Sequence, residues 1–362
     1  MVLYDEIGPE KLVDVYDPST GMRGFLVIDN TALGPGKGGI RMTQTVSIEE
    51  VARLARAMTW KCALAELPFG GAKSGILADS KSIDLKRKES LVRAFSSAIK
   101  SLCPSQYVAA PDMYVAEEEM GWFAAENGDM KSCTGKPKAL GGIPHELGST
   151  GFGVFVAART AAPYAKLDLD KATVAVEGFG NVGWFAAKHL SLAGARIVAV
   201  SDSKGSVFRK TGFDFKELDK VKKKTGSVVN YCQSEKLESI LEADADILVT
   251  AAVPDLIKES DVSGLKFKLV VEGSNIPMSV KVECLLHKRG ILVVPDFVAN
   301  AGGVISSYVE FIGGVEEGVF AIVEDKISRN TRLVLEAHRS GTSPRQKAMD
   351  IAKARVLGAM RC

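Results

Sequence analysis

Apolar residues recur along the chain with two different periods. From Ser47 onward, Val51, Leu54, Ala55, Met58, Cys62 and Ala65 return at helical spacing. Ser47 followed by Glu50 is a capping-box start for that helix, and Pro68 stops it. Short apolar runs at residues 23–29 and 38–46 read as strands around the Gly-rich stretch Gly34–Gly39. The spacing then predicts a Gly-rich loop over Gly70-Gly71-Ala72-Lys73-Ser74-Gly75, a helix over 84–102 and a short buried strand at Tyr107–Ala110, ending in Pro111-Asp112.

Residues 134–150, with Gly135, Pro137, Gly141, Gly142, Pro144 and Gly148, read as a crossover between domains. Beyond it come a helix (152–164), the strand Thr173–Glu177, a helix from Val182 to Ala193 and the strand Arg196–Ser201. Apolar runs at 246–251, 268–272 and 291–294 then alternate with helical stretches. Such alternation implies an α/β fold with a parallel sheet and helices on both faces. A length of 362 residues suits two domains.

Charge adds an exclusion. Lys and Arg number 46 against 44 Asp and Glu, so neither nucleic acid nor a membrane surface is an expected partner. The six cysteines form no C-x-x-C pair, so no metal site is expected. Cys62 and Cys284 read as core thiols, and a reducing, cytoplasmic compartment fits. The acidic start Met1–Glu6 predicts no secretory leader, and no apolar run reaches the ~18 residues a membrane span needs.

The segment Val174–Gly183 is strand, turn and helix start, with Gly178, Gly180 and Gly183 in G-x-G-x-x-G spacing around Asn181 and Val182. The first glycine permits the tight turn, the second a close approach of pyrophosphate, and the third close packing of helix on strand. Alone the motif is weak, because glycine turns also arise for steric reasons, but here it follows an apolar strand and opens a helix. Asp202 ends the next strand, where it could accept from a ribose 2′-hydroxyl; Ser201, Ser203 and Lys204 could instead hold a 2′-phosphate. The expected cofactor is NAD or NADP, leaning to NADP.

Three lysines stand in Gly-rich or apolar settings: Lys37, Lys61 and Lys73. Most lysines are solvated, but glycines around Lys73 leave little to solvate or pair it and let a substrate approach the backbone. A neutral lysine is a general base, and lowering its pKa from ~10.4 to ~8 takes about 3 kcal/mol, which burial and a neighbouring cation can supply. Asp112, just after the buried strand, is the natural partner, although an Asp after proline is also a common turn former.

These residues closely resemble the glutamate/leucine/phenylalanine/valine dehydrogenase family. The resemblance rests on Met58-Thr59-Trp60-Lys61-Cys62-Ala63, Leu67–Gly75, Ala110-Pro111-Asp112-Met113, Gly178–Gly183, Glu272-Gly273-Ser274-Asn275-Ile276-Pro277 and Asn300-Ala301-Gly302-Gly303-Val304, in family order from residue 37 to about 310. It implies reversible oxidative deamination of an L-amino acid to a 2-oxo acid and ammonia. Lys73 would activate water and polarise the substrate carbonyl or imine, Asp112 would shuttle protons to the amino nitrogen, and Lys61 would bind the α-carboxylate. Thr150, Asn275 and Asn300 would contact the cofactor. The implied architecture is a Rossmann-type dinucleotide-binding domain (147–329) and an α/β substrate-binding and oligomerisation domain (1–146 with 330–362), with a cleft between them, assembled as a homo-oligomer, a hexamer in the family pattern.

Within the family, Gly36-Lys37-Gly38-Gly39-Ile40-Arg41 resembles the glutamate-type pattern, in which the lysine holds the side-chain carboxylate, and Ser307 matches a serine bonding the same group. A buried γ-carboxylate needs a charged partner, and Lys37 without one would penalise leucine. The expected substrates are therefore L-glutamate, 2-oxoglutarate and ammonia. The alternatives are a leucine-, valine- or phenylalanine-type enzyme and a non-catalytic nicotinamide-binding sensor; the latter would not need Lys61, Lys73 and Asp112 together. Departures from the glutamate pattern are the 36 residues before Lys37, a short lead, the compact loop Gly142–Thr150, and Ser74 where glycine is usual. No insertion near the C-terminus matches the regulatory antenna of animal glutamate dehydrogenases, so nucleotide regulation of that kind is not expected.

Overall fold

The computed structural model describes residues 2–338 and 342–361, so Met1, 339–341 and Cys362, which fall within regions assigned above, lie outside the described residues. The chain divides into two compact units: Met1–Leu147 with Val304–Val319 and Met349–Cys362, and Gly148–Gly303 with Phe320–Ala348. The bounds expected from the sequence are not those of these units, starting with Leu147, which groups with the first unit. Val304–Val319 groups with the first unit, and residues 330–348 stay with the second.

The first unit is built on β1 (Lys11–Asp17), β2 (Met22–Asn30), β3 (Gly36–Thr43), α1 (Ile48–Leu64), β4 (Gly70–Leu77), α2 (Leu85–Ala98), β5 (Tyr107–Pro111) and α3 (Glu117–Asn127). Its sheet runs β1-β2-β4-β3-β5; β3 is parallel to β4 and β5, and the β1–β2 and β2–β4 pairs are antiparallel. Leu26, Ile28, Ile40, Met42 and Ile76 of the sheet pack with Leu91, Phe95, Met120 and Phe123 of α2 and α3. A smaller cluster joins Phe25 and Val27 to Val51 and Ala55 of α1.

The Gly-rich run over Gly70–Gly75 is strand β4, not the expected loop, and it lies inside the sheet. Glycine disfavours strands, yet it is retained where another backbone comes close. A Cβ on Gly70 would stand 1.8 Å from Asn30 O, and one on Gly71 2.1 Å from Thr59 Oγ1 and 2.3 Å from Thr59 N of α1. The unusual Ser74 is accounted for locally: its buried hydroxyl lies 2.8 Å from Tyr107 Oη, which itself donates to Gly38 O.

The second unit contains α4 (Ser149–Ala161), β6 (Thr173–Glu177), α5 (Asn181–Leu192), β7 (Arg196–Asp202), β8 (Gly205–Phe208), α6 (Phe215–Thr225), β9 (Glu235–Leu237), β10 (Ile247–Thr250), β11 (Leu269–Glu272), α7 (Val280–Lys288), β12 (Leu292–Val294) and α8 (Asp296–Ala299). The sheet order is β12-β11-β10-β6-β7-β8-β9, with the first five strands parallel and β8 and β9 antiparallel additions at one edge. The chain moves outward from β6 to β7 on one side and from β10 to β12 on the other, so β6 and β10 flank a topological switch point, where open α/β sheets bind ligands. Cys284 on α7 is exposed rather than a core thiol. Val282, Glu283 and Leu286 take the inward positions of that helix.

Three helices complete the chain: α9 (Gly302–Phe311), α10 (Glu316–His338) and α11 (Pro344–Ala359). Arg355 of α11 donates to the carbonyls of Ala63 and Leu64, orphan acceptors at the end of α1.

Candidate active site

Strands β4, β3 and β5 lie side by side, and this order brings together side chains far apart in sequence. Lys73 sits on β4, Arg41 pairs in register with Gly75, and Asp112 follows β5, whose Pro111 is opposite Ile40. Gly39 makes room, because a Cβ there would lie 2.8 Å from that of Asp112. Lys73 Nζ lies 3.1 Å from Asp112 Oδ2, and Arg41 Nε donates to the same oxygen at 2.9 Å. Arg41 also reaches Glu50 on α1. The result is a chain of alternating charge, Glu50–Arg41–Asp112–Lys73.

Burial pushes the Lys73 ammonium below its ordinary range, with Arg41 adding to that shift and Asp112 opposing it. Burial alone would raise the Asp112 carboxyl, but Lys73 and Arg41 outweigh it and hold Asp112 low. The site therefore sets a carboxylate held low beside an amine whose proton affinity is reduced, the direction that a base with a proton-relay partner requires. Lys73 is thus paired with Asp112, the partner expected from the sequence, and Arg41 joins them on the same oxygen. The capping box is also only half formed: Glu50 N donates to Ser47 Oγ, while the Glu50 carboxylate turns to Arg41.

Lys61 lies half-buried in the last turn of α1. Lys37 is 1% exposed, and its ammonium donates to Ala109 O and Thr134 Oγ1, each at 2.7 Å, with Val108 O at 3.5 Å. Burial, opposed by Glu310, pushes it down to about 7. Ser307 lies on α9, half-buried, one turn before Glu310. Asn300 and Ser307 do not share one continuous helix, because the chain breaks between α8 and α9. The Glu310 carboxylate accepts from Gly135 N and Ile143 N, both at 2.9 Å, and from Lys136 Nζ. The Thr134–Lys136 loop therefore holds Lys37 at one end and the Ser307 helix at the other. Sequence reading missed Arg41, Thr134, Lys136 and Glu310; the available signal was a second lysine in a Gly-Pro setting, Gly135-Lys136-Pro137.

In the second unit the three motif glycines differ in their surroundings. Gly178, with φ +83°, abuts Ala252 across the β6–β10 switch, and a Cβ on Gly183 would sit 1.8 Å from Gly178 O. Around the exposed Gly180 a Cβ would meet nothing within 4 Å, which leaves room for a ligand. Gly180 caps α5 without a side-chain bond, so backbone N–H groups there remain for an anion. The buried Asn181 Oδ1 and Asn300 Oδ1 have no hydrogen-bond partner among the described residues. Asn300 Nδ2 donates to Asn275 Oδ1 at 2.9 Å, and a Cβ on Gly303 would lie 2.9 Å from Thr150 Oγ1. Open space at Gly180 together with two orphaned amide oxygens fits a dinucleotide.

Asp202 is already occupied. Its carboxylate accepts from Lys222 Nζ, Val228 N, Lys204 N and Ser227 Oγ. Burial would raise it, but these donors hold it below the usual carboxylate range. Ser201 Oγ instead accepts from Gly178 N and braces the turn, while Ser203 and Lys204 are exposed.

Comparison with known proteins adds an independent line. The model of the "Glu/Leu/Phe/Val dehydrogenase, dimerisation domain" matches residues 9–128, and that of "Glutamate/Leucine/Phenylalanine/Valine dehydrogenase" matches residues 141–362. A glutamate dehydrogenase of Aeropyrum pernix is 40% identical, over 92% of this chain and 84% of its own. An NADP-specific glutamate dehydrogenase of Saccharolobus shibatae is 38% identical, over 98% and 89%. Among solved structures, a hetero-hexameric glutamate dehydrogenase from Thermus thermophilus, in a Leu-bound form, superposes with a TM-score of 0.86 at 31% identity, covering 98% of this chain and 89% of that one.

Proposed function

The chain belongs to the glutamate/leucine/phenylalanine/valine dehydrogenase family, and from that premise we propose that it catalyses the reversible, NAD(P)-dependent oxidative deamination of L-glutamate to 2-oxoglutarate and ammonia. The observation that carries the reading is the pair of buried Lys73 and half-buried Asp112 at 3.1 Å, with Arg41 on the same carboxylate oxygen. Asp112 takes the proton leaving the substrate amino nitrogen. Neutral Lys73 takes a proton from water as it adds to the imine carbon, and as the ammonium it polarises the carbonyl of 2-oxoglutarate in the reverse direction. Lys61 pairs with the α-carboxylate. The bound nicotinamide supplies hydride acceptance. Gly178, Gly180, Asn181, Val182 and Gly183 would hold the pyrophosphate, and Thr150, Asn275 and Asn300 the nicotinamide end.

Substrate choice rests on Lys37 and Ser307. An ammonium has three N–H donors. Ala109 O and Thr134 Oγ1 take two of Lys37's, and Val108 O at 3.5 Å is at the limit of bonding, so one donor direction remains for a γ-carboxylate. For the cofactor, four donors on Asp202 leave it a poor acceptor for a ribose hydroxyl, whereas exposed Ser203 and Lys204 suit a 2′-phosphate. NADP is therefore the preferred reading, with NAD still usable. Assembly as a homo-oligomer, a hexamer, fits the dimerisation-domain match and the hexameric neighbour.

Replacement of Lys73 by Ala tests the role directly. Turnover should fall by roughly 10³-fold or more, as expected for loss of a general base, while NADP+ affinity by fluorescence titration changes less than about twofold. Loss of both together would mean that Lys73 supports the fold rather than the chemistry.

A further inference from the structure

Three buried carboxylates meet one half-buried arginine in the second unit, and none belongs to the chemistry above. Glu272 ends β11 and is 0% exposed, Glu283 lies on α7, Asp296 opens α8, and Arg345 comes from α11. Arg345 Nη2 donates to Glu272 Oε2 at 2.7 Å and to Asp296 Oδ1 at 2.9 Å, and its Nε donates to Glu283 Oε1. Its guanidinium also lies over the Phe297 ring. Burying charge on this scale is costly unless every group is matched.

The cluster is joined by short paths to two asparagines. Asp296 N donates to Glu272 Oε2 at 2.8 Å, and Ile276 N donates to Asp296 Oδ2 at 3.0 Å. Ile276 follows Asn275 and adopts φ +50°, a left-handed conformation that a β-branched residue takes only when its surroundings enforce it. On the other side, Asn300 N donates to Asp296 O at 2.8 Å, closing α8. Asn300 Nδ2 then bonds Asn275 Oδ1 and, at 3.3 Å, Gly273 O, while its buried Oδ1 has no partner among the described residues. Asp296 thus grips the segments carrying both asparagines, and Arg345 grips Asp296.

We infer that Arg345, with Glu272, Glu283 and Asp296, forms a buried clasp that positions Asn275 and Asn300 for the nicotinamide end of the cofactor. The inference rests on the dinucleotide reading given above. Burial and the neighbouring Glu283 charge push the Glu272 carboxyl well above its usual range, against the Arg345 guanidinium, which opposes the shift.

The test compares two probes by isothermal titration: whole NADP+, and 2′,5′-ADP, which carries only the adenosine end. Arg345→Lys keeps the charge but loses the fork. It should weaken NADP+ about tenfold while 2′,5′-ADP changes less than about twofold, a split that general loosening would not produce. Asp296→Asn should move the same way, and it serves if Arg345→Lys does not fold. Wild-type affinity for NADP+ in a folded Arg345→Lys or Asp296→Asn variant, or equal loss of both probes, would each overturn the clasp. Wild-type protein that binds neither probe nor NAD+ would instead overturn the dinucleotide reading.

Discussion

The proton affinity of Lys73 is lowered by burial and tuned by two opposed neighbours: Asp112, which favours the ammonium, and Arg41, which disfavours it. Arg41 also holds Asp112 ionised. Replacing Arg41 by Met removes a cation from both groups, so the proton affinities of Lys73 and Asp112 both rise. The reactive form, with neutral Lys73 and ionised Asp112, is then reached at higher pH. The acid limb of kcat/KM for glutamate oxidation should shift to higher pH, with the rate at pH 7 falling by roughly tenfold or more and recovering within a few-fold at alkaline pH. A limb that stays in place, with activity lowered equally at every pH, would show that Arg41 acts only through packing.

Glycines serve opposite ends in the two sheets, and this gives a paired prediction at the level of the element. In β4, Gly71 is pressed against the backbone of α1, so Gly71→Ala must displace the helix. The cost should be about 3 kcal/mol, near the upper end for overpacking, with a thermal midpoint lower by about 5–10 °C. At Gly180 the chain offers no contact and the backbone is extended. Gly180→Ala should leave the midpoint within about 1 °C yet weaken NADP+ at least about tenfold, because the new methyl stands where pyrophosphate approaches. Equal thermal losses in the two variants would contradict this assignment. The same contrast shows what the sequence could reveal. The β6–turn–α5 unit was legible because its glycines fall at fixed offsets from an apolar strand. Strand β4 was not, since its glycines are chosen by the helix above them, and composition alone reads them as a loop. Arg41 was hidden because its partners arrive from α1 and from the residue after β5, while Glu310 and Arg345 act across large sequence separations that no local pattern records. Asp202 stood where a ribose-binding acid is expected, but apart from Lys204 N the donors that occupy it come from α6 and the turn beyond.

Across the whole molecule, the residues with proposed roles divide cleanly. Lys37, Lys61, Lys73, Asp112 and Ser307 fall in the first unit, and those proposed for the cofactor fall in the second. The return of Val304–Val319 to the first unit brings Ser307 to the Thr134–Lys136 loop through Glu310, an arrangement the linear boundaries did not foresee. No helix among the described residues is long and apolar enough to cross a membrane. The account's central claim, glutamate oxidation coupled to a nicotinamide cofactor, is tested most directly by the initial rate of cofactor reduction with L-glutamate, L-leucine and L-phenylalanine, each with NADP+ and NAD+. The prediction is that L-glutamate gives the highest kcat/KM, by about a hundredfold or more as expected when a buried charge is left unpaired, with NADP+ ahead of NAD+. A rate with L-leucine or L-phenylalanine above that with L-glutamate, or no reduction with any of the three, would contradict it.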